Sequence, residues 1–424
     1  MFSNFLQERF KMSEKDFTRN RKQSFSGTVL FMVNFLTKSL SLKIVNFVSH
    51  LKEKLGRGQS AFTKSAFVQA RNKISPEVFR YLINRLNDEF YTDNSNVKLI
   101  LDGFRVLAVD GSCITLPTTR ELEDLYGKST NQNQAYTVQA RASVLYDLSN
   151  RMALNSILSP IDIGERELAL QQLQQCKKGD LVIYDRGYPS YDLIHEHYEK
   201  NVAFLMRAKS DFNSVASVFL QSGKNSQIVE FYPGKRMDLT GKTYTKNTPL
   251  KVRLIRIELP AGEIELLITS LTDSRKYKHS LFKELYFRRW KIETYFDELK
   301  NKLGIEHFSG YSNQSILQDF YAAVFVSNLQ SLIVAELAEE LQENMGQNKY
   351  SYKVNTALSY GFMKDRILTV FFKKGDMNTI ITELKDLFRG NLVPIRPERS
   401  NPRNIWKYKV RIKPKVTKNQ KDTL

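Results

Sequence analysis

Two aspartates stand directly after stretches of the chain that have the composition of buried strands. Asp110 follows RVLAV and Asp185 follows LVIY. Functional groups of α/β proteins collect at the carboxyl ends of strands, and two carboxylates brought together there repel unless a cation or a proton intervenes. Hard oxygen ligands with few histidines nearby favour Mg²⁺ or Mn²⁺ over zinc. Each aspartate alone also fits an ordinary turn, since Asp-Gly and Asp-Arg-Gly are common turn formers.

A third carboxylate, Glu293, lies in a segment that predicts one long helix from about 280 to 303. At 100° per residue, Tyr286, Arg289, Glu293 and Lys300 fall on one helix face about 60° wide, beside an apolar stripe. The helix is therefore expected to pack on a core with its carboxylate and cations along the edge of the buried face. A salt bridge between Arg289 and Glu293 on a solvated helix would explain that pair. It would not explain why Tyr286 and Lys300 share the face.

The surrounding segments alternate between strand-like and helix-like patterns. Residues 96–200 contain paired strands followed by a helix–strand–helix alternation, which predicts a mixed α/β sheet. Residues 201–280 are strand-like throughout and predict a β-rich insertion. Helices are expected from 281 to 345, which would complete the α/β domain, and in a C-terminal region, 346–424, that ends in a basic tail.

Residues 1–95 predict helices, because apolar residues recur there at helical spacing. Within them, SAFTKSAFVQARNKISPEVF carries Lys64, Gln69, Arg71 and Lys73, residue types that contact phosphates and base edges. The same composition would suit the solvated face of an ordinary helical bundle. The sequence leaves both readings open at this point.

The charge balance is the unusual feature of the composition. Lysine and arginine total 64 against 45 aspartates and glutamates, a net charge of +19. A surplus of this size favours nucleic acid as a partner, although basic ribosomal and membrane-surface proteins share it. Neither apolar stretch, 28–48 or 315–335, is long and clean enough to predict a membrane span, and no signal peptide pattern is present. A cytoplasmic protein is expected.

The spacing Y-x2-R-x3-E-x6-K, matched by Tyr286, Arg289, Glu293 and Lys300, resembles the motif of the IS-four branch of DDE transposases. These enzymes are encoded by bacterial insertion sequences. LAVDGSCITLP and LVIYDRGYPS resemble the stretches that carry the family's first and second catalytic aspartates. FTKSAFVQARNKIS is similar to its N-terminal DNA-binding segment. The resemblance covers most of residues 60–330, in the same order.

This resemblance implies a ribonuclease H-like core with a β-rich insertion, an N-terminal helical DNA-binding domain and a helical C-terminal region. It also implies that Asp110, Asp185 and Glu293 hold two Mg²⁺ ions, for which Mn²⁺ can substitute. One ion would activate water or a 3′-hydroxyl, and the other would stabilise the leaving oxygen. The expected reaction is cleavage at the terminal inverted repeats and strand transfer into target DNA. A homodimer is expected in the paired-end complex, in a prokaryotic cytoplasm at the nucleoid.

Further roles follow from the same resemblance. Tyr286, Arg289 and Lys300 would grip phosphates near the element's end. Trp290 corresponds to an aromatic residue that stabilises a flipped base during hairpin formation, although its position on the helix fits packing equally well.

The hairpin step is open because the chain's other tryptophan, Trp406, lies outside the predicted insertion. Better-known members have a tryptophan in the insertion, and here Tyr277 or Phe231 would have to take its place. Two rival readings also stand: a domesticated or inactive relative that binds DNA without cutting it, and a basic RNA-binding or structural protein. The intact carboxylates and the intact helix face count against the first.

Overall fold

A computed structural model describes residues 4–19, 21–34, 39–55, 61–92, 97–101, 103–130, 136–260, 262–343, 351–364, 366–372 and 377–395. The helices are α1 Asn4–Phe10, α2 Phe25–Val33, α3 Leu40–Leu55, α4 Lys64–Arg71, α5 Glu77–Thr92, α6 Arg120–Tyr126, α7 Glu165–Leu173, α8 Tyr191–Glu199, α9 Ser214–Gln221, α10 Leu281–Phe287, α11 Trp290–Asp297, α12 Asn313–Glu343, α13 Thr356–Met363, α14 Arg366–Phe372 and α15 Met377–Arg389. A π-helical turn, Glu298–Lys302, follows α11. The strands are β1 Arg105–Thr115, β2 Lys128–Thr130, β3 Tyr136–Asp147, β4 Met152–Pro160, β5 Asp180–Tyr184, β6 Ala203–Ala208, β7 Ser226–Phe231, β8 Leu250–Glu258, β9 Ile264–Thr269, β10 Tyr352–Val354 and β11 Leu392–Pro394. The basic tail expected from Arg396 onward lies outside the described residues.

The chain forms two compact units whose boundaries differ from the predicted domains. The first unit consists of Met1–Glu89, Ile114–Ala140 and Asp297–Leu424, and the second of Phe90–Cys113 and Arg141–Phe296. The helices expected in the N-terminal region are present, but they do not form a unit alone. They share the first unit with α12, which the sequence had placed in the catalytic domain. The apolar faces of α2 and α12 pack on each other, a pairing that helical periodicity alone does not reveal.

The second unit is built on a mixed sheet, as the α/β pattern predicts. The strand order of the sheet is β2-β3-β1-β5-β6-β9-β8-β7, and β4 also pairs with β3. Strands β1, β5 and β6 are parallel, whereas β9, β8 and β7 are antiparallel to their neighbours. Every residue of β5 is buried, as expected of a central parallel strand covered on both faces. Helices α7 and α8 supply part of the core that covers it, through Leu173 and Ile194.

The predicted insertion at 201–280 is wrong at its first boundary. Strand β6 pairs in parallel with β5, with Leu181 opposite Ala203, so it belongs to the central sheet. The rest of the stretch contains α9 and three antiparallel strands that continue the same sheet through β9. Alternating apolar residues predict a strand but do not specify its partner, which is why the sequence placed β6 with the strands that follow it.

A buried ion pair sets the register of the two central strands. Arg105 begins β1 and Asp180 begins β5, and they are register partners. The guanidinium donates to both carboxylate oxygens, at 2.8 and 2.9 Å. Bidentate pairs of this kind are directional, so a slip of one residue would break both bonds. The ion pair at the start of β1 and β5 therefore determines which residues of the two strands lie opposite each other farther along.

One helix of the first unit meets the length and composition of a membrane span. It is the Asn313–Leu337 part of α12, and 72% of its most apolar window is buried inside the protein. It contains the stretch 315–335, which the sequence analysis did not expect to span a membrane. Burial to this extent is what the core helix of a folded domain shows. Among the described residues no other helix passes, the predicted stretch 28–48 included.

Candidate active site

Asp110 lies on β1, and Asp185 directly follows the neighbouring parallel strand β5. The last register partners of the two strands are Ala108 and Ile183, and the same register continued by two residues would place Asp110 opposite Asp185. The predicted turn at Asp110-Gly111 is wrong, because β1 continues to Thr115. Neighbouring strands lie about 4.8 Å apart, so the two carboxylates share one small region at the sheet's edge.

Glu293 reaches this region from α11, and the helix that carries it is not the single long one predicted. Helix α10 ends at Phe287 and α11 begins at Trp290. Between them the backbone tightens, since the Arg289 amide donates to the Tyr286 carbonyl at 3.0 Å, three residues back. Beyond Asp297 the chain forms the π-helical turn, so the straight-helix geometry that put Lys300 on the face of Glu293 does not apply. Lys300 is half-buried and belongs to the first unit.

Tyr286 and Arg289 hold the carboxylates. The Tyr286 hydroxyl donates to Oδ1 of Asp185 at 3.0 Å. Arg289 places Nη2 2.7 Å from Oε1 of Glu293 and Nη1 3.6 Å from Oδ2 of Asp110. Both side chains are 3% exposed. The polar ends of both side chains contact the carboxylates here, and the phosphate contacts expected of them stay a prediction.

Burial and like charge make the region favourable for a cation. The pKa of Asp110 is raised to about 6, mainly by burial; the Glu293 and Glu165 carboxylates also raise it, whereas the Gly111 amide and Arg289 lower it. Nε of Arg289 is buried and has no hydrogen-bond partner among the described residues. The Arg289 guanidinium thus balances part of the negative charge of the carboxylates, while its own hydrogen bonding is incomplete.

The donor set fits a divalent metal. It consists of carboxylate oxygens, the ligands that Mg²⁺ and Mn²⁺ prefer. Among the described residues no three acidic, histidine or cysteine side chains are gathered closely enough to hold an ion as they stand. Arg289 contacts both Asp110 and Glu293.

The raised pKa of Asp110 predicts a pH-dependent stability. A carboxyl whose pKa is higher in the folded chain than its usual 3.8 loses stability as the pH rises from about 4 through 6. In metal-free buffer at pH 7 we expect Asp110→Asn to raise the free energy of unfolding by on the order of 1–2 kcal/mol. Thermal unfolding between pH 4 and 7 measures this, with exposed Asp162→Asn as the control. An unchanged or lower melting temperature of Asp110→Asn at pH 7 would contradict the assignment.

The family comparison decides which chemistry this arrangement serves. The transposase DDE domain family matches residues 102–329, more than half of the chain. The chain belongs to the DDE transposases. The stretch that matches contains Asp110, Asp185 and Glu293. The transposase is a DNA-binding enzyme that cuts and transfers strands, and its family requires a divalent metal.

The relatives that it matches include transposases of insertion sequences. It is 22% identical over 369 residues to the transposase InsG of insertion sequence element IS4 from Escherichia coli K12, covering 81% of this chain and 77% of that one. It is 20% identical over 355 residues to the transposase of element IS231F from Bacillus thuringiensis subsp. israelensis, covering 73% and 72%. The piggyBac transposase synaptic complex with hairpin DNA resembles it with a TM-score of 0.45 and 9% identity, covering 96% of this chain and 87% of that one.

Trp290 is exposed beside the carboxylates. It is 48% exposed, and the Arg289 guanidinium lies 5.4 Å from the centre of its ring. The packing role that the helix position also allowed would bury more of this ring. A role toward a flipped base stays a prediction.

The predicted DNA contacts of the N-terminal segment separate into two groups. Arg71 is 2% exposed, and its guanidinium donates to Gln318, Ser309, Asp319 and the Ser315 carbonyl. The prediction that Arg71 contacts DNA is therefore wrong, because every nitrogen of the guanidinium is bonded inside the first unit.

The other three residues of that segment are accessible. Lys64 and Gln69 are exposed on α4, whose N-terminus is capped by Thr63 accepting from the Ala66 amide. Lys73 is half-buried and pairs with Asp16 at 3.2 Å. DNA contacts through these three residues stay predictions.

Sequence reasoning missed two charged residues at this candidate site. Glu165, the first residue of α7, places its carboxylate against Gly111 and Gly187, which follow Asp110 and Asp185 in the chain. Arg141 of β3 pairs with it at 2.9 Å. The available signal was weak: a glutamate in the first turn of a helix is common in any protein, since the helix dipole favours it there.

Proposed function

We propose that the transposase binds the terminal inverted repeats of an insertion sequence and, with Mg²⁺ held by Asp110, Asp185 and Glu293, cuts the DNA and joins it to a target. The observation that carries this is the register that sets Asp110 opposite Asp185, with Arg289 joining Asp110 to Glu293. Mn²⁺ is expected to substitute. When bound, two such ions supply an activated water or 3′-hydroxyl and stabilise the leaving oxygen.

The chain's own residues prepare this site in defined ways. Tyr286 orients Asp185 by donating to one oxygen, which leaves the other free to point at a ligand. Arg289 keeps Asp110 and Glu293 close despite their charge, so less rearrangement is needed when a cation arrives. Once Arg289 is displaced from Asp110 it is a cation beside the scissile phosphate. The phosphate contact expected of Arg289 would then belong to the DNA-bound enzyme.

The core is proposed to be ribonuclease H-like. Its support is the arrangement of five strands, β4-β3-β1-β5-β6, with the last three parallel and the first two catalytic positions on β1 and directly after β5. Strands β7, β8 and β9 would then be the insertion before Glu293, shortened at its start relative to the predicted 201–280.

The reaction itself is tested with purified protein, a duplex that ends in the element's inverted repeat, and Mg²⁺. Nicked and joined products on a denaturing gel support the proposal, and their absence at all metal concentrations contradicts it. A domesticated relative would bind the duplex and give no product. A basic RNA-binding or structural protein would bind without any requirement for Mg²⁺.

A basic cavity in the first unit is the proposed place where the DNA backbone docks. It has a volume of about 620 Å³. Five cations line it together with Gln69 of α4: Lys15, Arg19, Arg21, Lys22 and Lys73. The Lys73–Asp16 pair neutralises one of them. The remaining positive charge of the cavity favours DNA phosphates, which are bound through their charge and independently of the base sequence.

Removing two of these cations is expected to weaken DNA binding. For Arg19→Ala/Arg21→Ala we expect about tenfold lower affinity for the end duplex, and a salt slope of log affinity reduced by about two. Fluorescence anisotropy at several salt concentrations measures both. The control is Arg120→Ala, a 96% exposed side chain of the same unit. Equal affinities for the double variant and the control would exclude the cavity as a DNA site.

Three further points complete the proposal. A homodimer is expected on paired ends, and the solution mass of the complex with end DNA decides this.

Exposed Trp290 is the residue available to stack on a flipped base, so a hairpin intermediate would depend on it. The protein is proposed to act in the cytoplasm at the nucleoid, where its DNA is.

A further inference from the structure

We propose that Glu165 is a fourth carboxylate of the transposase's metal site, a positioning residue that raises the affinity for the ion beside Asp110. The inference rests on the proposed function, since it assumes that Asp110 and Asp185 hold a metal. It concerns a residue on α7, outside the three elements that carry the triad.

The first support is the space that two glycines leave open. A Cβ added at Gly111 would lie 3.2 Å from Oε1 of Glu165, and one added at Gly187 would lie 3.6 Å from Oε2. Gly111 directly follows Asp110, and Gly187 comes two residues after Asp185. The Glu165 carboxylate therefore lies close to the backbone that follows each of the two aspartates, where a side chain at Gly111 would crowd it.

The second support is the way α7 is fixed in place. Arg166, next to Glu165, donates Nε to the Gly187 carbonyl at 2.9 Å, which ties the helix to the turn after Asp185. Arg141 donates Nη1 to Glu165 at 2.9 Å and Nη2 to the Ile161 carbonyl at 3.1 Å. These contacts hold the carboxylate in one position, as supporting residues do at metal sites.

The third support is the balance of charge. Four carboxylates, Asp110, Asp185, Glu165 and Glu293, share the region, and among the described residues their ion pairs come from Arg141 and Arg289. Two negative charges are left over, which equals the charge of one divalent ion. Nε of both arginines is buried and has no partner within the described part of the chain, so neither cation is fully satisfied.

Glu165 would act through water or by direct contact when the side chains rotate, and either route predicts the same effect on affinity. A salt bridge with Arg141 that served only the fold predicts a different result. Losing it would lower stability and leave metal affinity unchanged. Metal affinity in the absence of DNA therefore separates the two roles.

The test measures Mn²⁺ binding to the full chain without DNA, by the electron paramagnetic resonance signal of free Mn²⁺. We expect Glu165→Gln to weaken binding by 10-fold or more, on the order found for supporting residues at metal sites. The matched control is Glu167→Gln, which removes the same charge from an exposed position of the same helical turn and should stay within about twofold. Unfolding in EDTA checks that each variant is folded. If Glu165→Gln does not fold, Glu165→Asp keeps the charge, retracts the carboxylate by one methylene and should also bind more weakly.

Asp185→Asn in the same assay separates a failure of the proposed metal triad from a failure of the proposed role of Glu165. Wild-type Mn²⁺ affinity in Asp185→Asn would overturn the proposed metal triad. If Asp185→Asn loses Mn²⁺ binding while folded Glu165→Gln keeps the wild-type affinity, only the role of Glu165 is overturned. Where Glu165→Gln does not fold, wild-type affinity in Glu165→Asp has the same meaning. Weaker binding in both, with Glu167→Gln unchanged, supports both.

Discussion

Asp185→Asn is expected to lower the rate of strand cleavage by about 10³-fold or more while DNA affinity stays within about twofold. The substitution keeps the size of the side chain and an oxygen that can accept from Tyr286, so the local fold is retained. It removes the negative charge that stands opposite Asp110 at the end of the β1–β5 pairing. Metal ions contribute several kcal/mol of transition-state stabilisation, which corresponds to this loss of rate.

Single-turnover cleavage of end duplex in Mg²⁺ measures the effect, and anisotropy measures binding separately. The control is Asp211→Asn, an exposed aspartate of the same unit. Because the substrate is held mainly through its phosphates, binding and cleavage should separate in Asp185→Asn. Wild-type product from this variant would contradict the catalytic assignment. A parallel loss of binding would show that Asp185 supports the fold rather than the reaction.

The proposed triad could be picked out from the sequence because each part of it has a local signal. Asp185 follows a stretch whose aliphatic composition already specifies a buried strand, and Arg289 and Glu293 are four residues apart on a helix. Contacts between distant segments have no such signal. That Tyr286 donates to Asp185, and that Arg289 lies against Asp110, depend on how the helix is placed against the sheet.

Backbone irregularities escaped prediction for a related reason. The tightening at Arg288-Arg289 and the π-helical turn interrupt a segment whose residues are all compatible with one helix. Local propensity is a weak determinant where tertiary contacts compete with it. Glu165 was not predicted as a site residue because its contacts with Gly111 and Gly187 form only in the folded chain.

The division of the chain into two units could not be predicted from the sequence for the same reason. Apolar periodicity predicted α2 and α12 correctly as helices, but it does not say which helices pack on each other. Arg71 is the sharpest example. Its residue type fits a phosphate contact and a buried ion pair equally well, and the choice depends on a partner 248 positions later in the chain.

Arg71→Met is therefore expected to destabilise the first unit strongly. The guanidinium pairs with Asp319 at 3.0 Å and also donates to Gln318 at 2.8 Å and to Ser309 at 2.7 Å. Methionine has a similar stem but no donors, so the Asp319 carboxylate loses a buried cation. Breaking a buried pair from one side costs about 3–5 kcal/mol, far more than the loss of a surface charge.

The control for this variant lies on the same helix. Lys64→Met removes an exposed cation at the start of α4 and should change the free energy of unfolding by less than about 0.5 kcal/mol. Urea unfolding, followed by a probe in the first unit, compares the two. If Arg71 served DNA instead, Arg71→Met would unfold at the wild-type urea concentration and bind end duplex more weakly. The buried network predicts the reverse: an early unfolding transition, and near-normal DNA affinity in conditions where the variant is folded.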